Sequence, residues 1–166
     1  MKGIISIDQI DAFIFDFDGV LTNNLVHLDQ DGREWVSCSR SDGIAFDVLR
    51  VLKKPAYILS TEINPVVSAR AKKLKIPAIQ GVSDKVLAIK ELVDANNYNL
   101  DKILYVGNDV NDYLAMKICG FTACPIDSHS KIKEVSKNIL ATKGGNGVVR
   151  ELLEQTFNLD FIKILY

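Results

Sequence analysis

At 166 residues, 48% of them hydrophobic, the chain has material for one domain with one core and no room for a second. A net charge of −1, with basic and acidic residues intermixed, gives no electrostatic reason to expect a nucleic-acid or membrane partner, and no apolar run reaches the ~18 residues that suggest a span. Cys38, Cys119 and Cys124 are odd in number and form no CxxC pair, which argues against a disulfide framework or a zinc site and for reduced thiols in the cytoplasm; the opening MKGIISIDQID has no signal-peptide pattern.

Ala12–Phe17 is an apolar, aromatic run that ends in acidic residues and Gly19, the pattern of a buried strand. Val26–Ser39 has two β-prone arms around Asp29–Gly32 and predicts a hairpin. The apolar spacing from Ile44 to Leu52 predicts a helix stopped by Pro55, and Ala56–Leu59 a second buried strand. Pro65 suits the first turn of a helix running to Leu74, and Pro77–Gln80 reads as a short strand. Ser83 or Asp84 is the expected N-cap of a helix over Val86–Ala95. Lys102–Val106 predicts a strand, Tyr113–Cys119 a helix ended by Gly120, and Phe121–Pro125 a further strand. Lys131–Asn138 and Gly147–Phe157 are the last two expected helices, the second after the loop GGNG. Strands alternating with helices predict parallel βαβ units, hence an α/β doubly wound parallel sheet with one β-hairpin insertion.

Four polar clusters follow predicted strands: Asp16-Phe17-Asp18-Gly19-Val20-Leu21-Thr22, Ser60-Thr61-Glu62, Asp84-Lys85, and Gly107-Asn108-Asp109-Val110-Asn111-Asp112. Ligands of doubly wound sheets bind at the carboxyl ends of the strands, so the four are expected at one rim. In a continuing strand residues two apart face the same way, which would direct both Asp16 and Asp18 at one substrate unless the turn at Gly19 alters it. Asp112 reads as an N-cap for the next helix, as part of the acidic cluster, or as both. His27 and His129 read as surface residues, and Trp35 as hairpin packing or an interface.

These motifs, in this order, resemble the haloacid-dehalogenase superfamily over essentially the whole chain, with a Rossmann-like fold. The resemblance implies a Mg2+-dependent phosphatase. In it Asp16 is the nucleophile that becomes an aspartyl-phosphate, and Asp18 is the acid and base. Gly19, Ser60, Thr61 and Lys85 bind the phosphoryl group. Asp16, Asp18 and Asn108 or Asp109 hold the metal. The superfamily usually has Asp directly after the motif-four glycine. Asn108 stands there instead, and it offers Mg2+ a neutral oxygen where anionic oxygen is preferred. Only about twenty residues separate Thr22 from Asp42-Gly43, which leaves no room for a cap domain and is similar to the capless branch. That branch includes the 3-deoxy-octulosonate 8-phosphate phosphatases, the nonulosonate 9-phosphate phosphatases and the C-terminal domain of some acylneuraminate cytidylyltransferases. SRSDGIAF and GGNGVVRE resemble its segments. Ser60-Thr61-Glu62, where octulosonate enzymes usually read Thr-Gly-Arg, resembles the nine-carbon, sialic-acid-like group. The implied substrate is therefore a phosphorylated ulosonic sugar acid, with Glu62 accepting from hydroxyls and Arg70 or Lys73 meeting the carboxylate. The alternatives are the eight-carbon phosphatase and a weakly active oligomerisation or binding module. The branch further implies a homotetramer.

Overall fold

The computed structural model describes residues 5–166, so residues 1–4 of the opening segment lie outside the description. Six parallel strands form one sheet in the order β5-β4-β1-β6-β7-β8. They are β1 (Ala12–Phe15), β4 (Ala56–Leu59), β5 (Ala78–Ile79), β6 (Ile103–Val106), β7 (Phe121–Cys124) and β8 (Asn138–Ile139). From β1 the chain builds outward through β4 and β5, then returns to the other side of β1 as β6 and proceeds to β7 and β8. The strand order therefore reverses beside β1, where such sheets open a crevice at their carboxyl ends.

Strand alternation divides the core between the two faces. Phe13, Phe15, Ile58, Leu104 and Val106 point to one face. There they meet side chains such as Phe46 and Leu49 of α1 (Arg40–Val51), Val67 of α2 (Val66–Leu74) and Val149 of α6 (Val148–Glu151). Ala12, Ile14, Leu59, Ile103 and Tyr105 point to the other. They pack on α3 (Lys85–Asn96), α4 (Tyr113–Ile118) and α5 (Ser130–Val135) through Ile89, Met116 and Ile132. Burial on both faces is why these strands read as continuous apolar runs.

Local chemistry moved several boundaries. β1 does not continue through Asp16: the run expected to Phe17 ends at Phe15, and Phe17–Leu21 forms a tight irregular turn with Gly19 at φ 79°. α1 begins at Arg40, four residues before the apolar periodicity starts, because the Ser39 hydroxyl accepts the N–H of Ser41. The helix expected over Lys131–Asn138 ends at Val135. The Lys137 N–H then donates to Thr122 Oγ1 at 2.9 Å, turning the chain so that Asn138 and Ile139 pair with β7 as an unexpected strand. The last expected helix starts regularly as α6 and loosens over Leu152–Thr156. A further short helix, α7 (Phe161–Leu165), is capped by Asp160. The segment between the Phe17–Leu21 turn and α1 holds only the hairpin β2 (His27–Leu28) and β3 (Glu34–Trp35), whose His27 and Trp35 rings stack across the strands.

Candidate active site

The four polar clusters lie just beyond the carboxyl ends of β1, β4 and β6 and at the start of α3. At the end of β1, Asp16 is extended and buried, and its Oδ1 accepts the Phe17 N–H at 2.7 Å. Lys85 reaches the same oxygen at 3.0 Å. Asp84 puts it there by capping α3 with a bond from the Leu87 N–H, so Lys85 occupies the first turn and projects under the sheet's rim. Lys85 is only 5% exposed, and its ammonium also donates to Asp112 Oδ1 at 2.7 Å.

Asp112 is the hub of this arrangement. Its Oδ1 accepts from Lys85 and from the Tyr105 hydroxyl, both at 2.7 Å. Its Oδ2 accepts the backbone N–H groups of Asn108 at 2.8 Å and Asp109 at 3.3 Å. Four donors on one fully buried carboxylate fix both the lysine and the loop after β6. That is a different job from the N-cap reading, since Asp112 makes no side-chain cap bond to α4; it completes a capping box with Asp109. Gly107 leaves room for it, because a Cβ there would stand 2.6 Å from the Asp112 side chain.

These contacts set the charge states. Burial pushes the Asp16 carboxyl well above its ordinary range, the Asp112 charge adds to this, and Lys85 opposes both. Burial also works against the Lys85 ammonium, but the attraction of Asp16 and Asp112 outweighs it and holds the proton more firmly than usual. Asp18 is raised by burial and by the nearby charge of Glu62, with the Thr22 hydroxyl at 3.5 Å opposing. The Tyr105 phenol is held far up, first by burial and then by Asp112. Asp16 and Asp18 both lie within electrostatic reach of Lys85, so the turn brings the two carboxylates to one place without strand alternation.

Asn108 packs directly on Gly19: a Cβ on Gly19 would fall 1.9 Å from Asn108 Nδ2. Its Oδ1 is buried and has no hydrogen-bond partner, a costly condition for a carboxamide oxygen unless another group approaches it. Such an oxygen, packed on the turn that carries Asp16 and Asp18, fits a hard cation such as Mg2+. Among the described residues no three His, Cys, Asp or Glu side chains gather into a metal cage, so a cation here would need amide or backbone oxygens as well. Asp109 is spent differently, its Oδ1 accepting the Val110 N–H at 2.7 Å at the exposed start of the following turn.

The other expected site residues are distributed unevenly. Ser60 is buried at the end of β4 and its hydroxyl accepts the Glu62 N–H; Thr61 is exposed beside it. The Gly19 N–H is already donated to Thr22 Oγ1 at 3.1 Å, inside its own turn. Glu62 Oε1 accepts from Ile63 and Asn64, so it shapes the β4 loop at the edge of the site. Arg70 turns toward α1 and donates to the Ser39 carbonyl at 2.7 Å. Lys73 lies beyond it, and both line a groove of about 360 Å³ between α1 and α2 with Arg40 and Asp47. His27 stacks on Trp35 and His129 caps α5, so neither joins the site. Sequence reasoning left Tyr105 unassigned because it stands inside an apolar strand, and Asp42 because it stands in the first turn of α1; its carboxyl is pushed up to about 6 by burial.

A family model described as haloacid dehalogenase-like hydrolase matches residues 56–152. The crystal structure of a putative hydrolase of that family from Streptomyces avermitilis is 38% identical with a TM-score of 0.90, covering 93% of this chain and 88% of that one. The 3-deoxy-D-manno-octulosonate 8-phosphate phosphatase of Moraxella catarrhalis, solved with magnesium, phosphate and the sugar acid, is 28% identical with a TM-score of 0.86, covering 95% and 88%. The enzyme of that name from Yersinia pestis is 27% identical over 88% of this chain and 79% of its own length. The sheet, the rim of acidic and basic groups and these matches agree: the chain belongs to the haloacid dehalogenase-like hydrolases.

Proposed function

We propose that this chain is a Mg2+-dependent phosphatase that removes the phosphoryl group of a phosphorylated ulosonic sugar acid through an aspartyl-phosphate on Asp16. The observation that carries the reading is Asp16 at the end of β1, clasped by buried Lys85 and followed two residues on by a second carboxylate with a raised pKa.

Asp16 attacks phosphorus and the bond to the leaving oxygen breaks, while Asp18 gives that oxygen its proton. The raised pKa of Asp18 keeps a proton available for this step. Asp18 then takes a proton from water, whose oxygen attacks the acyl-phosphate and releases inorganic phosphate and the Asp16 carboxylate. Lys85 holds positive charge beside the phosphoryl oxygens, and Ser60, whose hydroxyl accepts from Glu62, still has its own hydrogen to donate. Asp16, the Asp18 carbonyl and Asn108 Oδ1 would hold Mg2+, with Asp109 the weaker candidate. The metal supplies cationic charge against the phosphoryl group.

Ser60-Thr61-Glu62 supports the nine-carbon reading, with Glu62 accepting from hydroxyls and Arg70 or Lys73 meeting the carboxylate. The Moraxella and Yersinia relatives support the eight-carbon sugar as the second reading. A panel of eight- and nine-carbon sugar acid phosphates with aryl phosphate as a control tests both. Preference for a nine-carbon 9-phosphate is expected. Equal or lower rates on every ulosonate than on the aryl phosphate would overturn the substrate class. Absence of any Mg2+-dependent release would leave only a binding module. A single cytoplasmic domain working as a homotetramer completes the reading, supported by the exposed apolar Leu25, Val26, Leu28 and Trp35 of the hairpin region.

A further inference from the structure

The loop between β8 and α6 lies against the turn that carries Asp18. A Cβ on Gly144 would stand 2.2 Å from the Gly19 carbonyl oxygen, and one on Gly145 would stand 2.5 Å from the Asn23 nitrogen. The Gly145 N–H donates to the Val20 carbonyl at 3.0 Å. Backbone therefore packs on backbone with no side chain between, and any shift of this loop is felt by the catalytic turn. At the loop's far end, the buried Asp42 Oδ1 accepts the N–H groups of Val149 at 2.9 Å and Arg150 at 3.1 Å, the opening amides of α6. Gly147 lets the two segments close up, since a Cβ there would be 2.8 Å from Ser41 Oγ. Asp42 is 1% exposed, and its Oδ2 has no hydrogen-bond partner. A buried carboxylate kept with one orphaned oxygen is expensive in stability, so its retention calls for a positional reason.

We propose that Asp42 is a positioning residue for the phosphatase reaction: by tethering the start of α6 it presses the Gly144–Gly147 loop onto the Phe17–Leu21 turn and sets the place of Asp18. Asp42 touches neither phosphate nor metal and acts through the loop. The inference rests on the reading of Asp16 and Asp18 as the catalytic pair. Asp42→Asn keeps an acceptor of the same shape, Asp42→Ser a shorter one, and Asp42→Ala none. With aryl phosphate and saturating Mg2+, kcat is expected to fall about tenfold or more in Asp42→Ala, because small misplacements of reacting groups are costly. KM should change little, and Asp42→Asn should recover most of the loss. Val93→Ala, a core truncation on the opposite face of the sheet, serves as a control for lowered stability and should keep the parental kcat. Hydrogen exchange supplies a readout independent of turnover: the amides of Gly145 and Thr22 should exchange faster in Asp42→Ala and at the parental rate in Asp42→Asn. If Asp42→Ala does not fold, Asp42→Ser carries the same comparison. A folded Asp42→Ala or Asp42→Ser with kcat within twofold of the parent and unchanged exchange overturns the positioning role. A parent without Mg2+-dependent activity overturns the catalytic reading instead, and the exchange data still report on the tether.

Discussion

Lys85 has two partners, and its loss would leave two buried carboxylates facing each other. Removing one member of a buried ionic group costs roughly 3–5 kcal/mol, far above a surface ion pair. Lys85→Ala should therefore unfold at markedly lower denaturant at pH 7, and the deficit should shrink in acid as Asp16 takes up a proton; a deficit that does not vary with pH would contradict the arrangement. Asp42 gives a second pH signature. Its folded pKa of about 6 lies above the ordinary 3.8, so the native state binds more protons between those values. Stability then falls as pH rises through that window, by about 3 kcal/mol as an order of magnitude. Asp42→Asn should remove this part of the slope, measured by urea unfolding at pH 4 and pH 7. Asn108 is tested with the metal: Asn108→Ala should weaken Mg2+ binding more than Asp109→Ala, because Asp109 Oδ1 is committed to its own turn. Titration of Mg2+ against both variants decides it, and a larger loss from Asp109→Ala would transfer the role.

At the scale of elements, Gly19→Ala should cost well over the ~1 kcal/mol typical of a point change, since it combines a positive φ with a Cβ on top of Asn108. Thermal unfolding beside Gly32→Ala, whose positive φ meets open space, separates the strain from the clash. The main parallel strands were legible because burial on both faces writes them as apolar runs, and α3 because Asp84 caps it and its apolar spacing is regular. What was hidden depends on contacts distant in sequence. The early start of α1 rests on one serine cap, and β8 exists because Thr122 takes the Lys137 N–H. The site was legible as four motifs at strand ends. Its wiring was not: nothing local in GNDVND tells that the Asp112 carboxylate gathers Lys85, Tyr105 and two backbone amides, or that Gly19 is the seat of Asn108.

For the whole molecule, Leu25, Val26, Leu28 and Trp35 leave apolar side chains exposed in the hairpin region, which the Asn64–Glu34 bond joins to the β4 loop with its exposed Ile63. Covering them by copies of the chain would place subunit contacts next to the site, so light scattering should give a tetramer at micromolar concentration, and Trp35→Ser should shift it toward smaller species. A stable monomer would contradict this. The central claim is covalent catalysis at Asp16, and it is tested most directly by acid-quenching the enzyme during turnover with Mg2+ and a labelled phosphate ester, then locating the label by peptide mass spectrometry. The account predicts phosphate on Asp16, absent in folded Asp16→Asn together with the activity. Label on another residue, or parental turnover in Asp16→Asn, would contradict it.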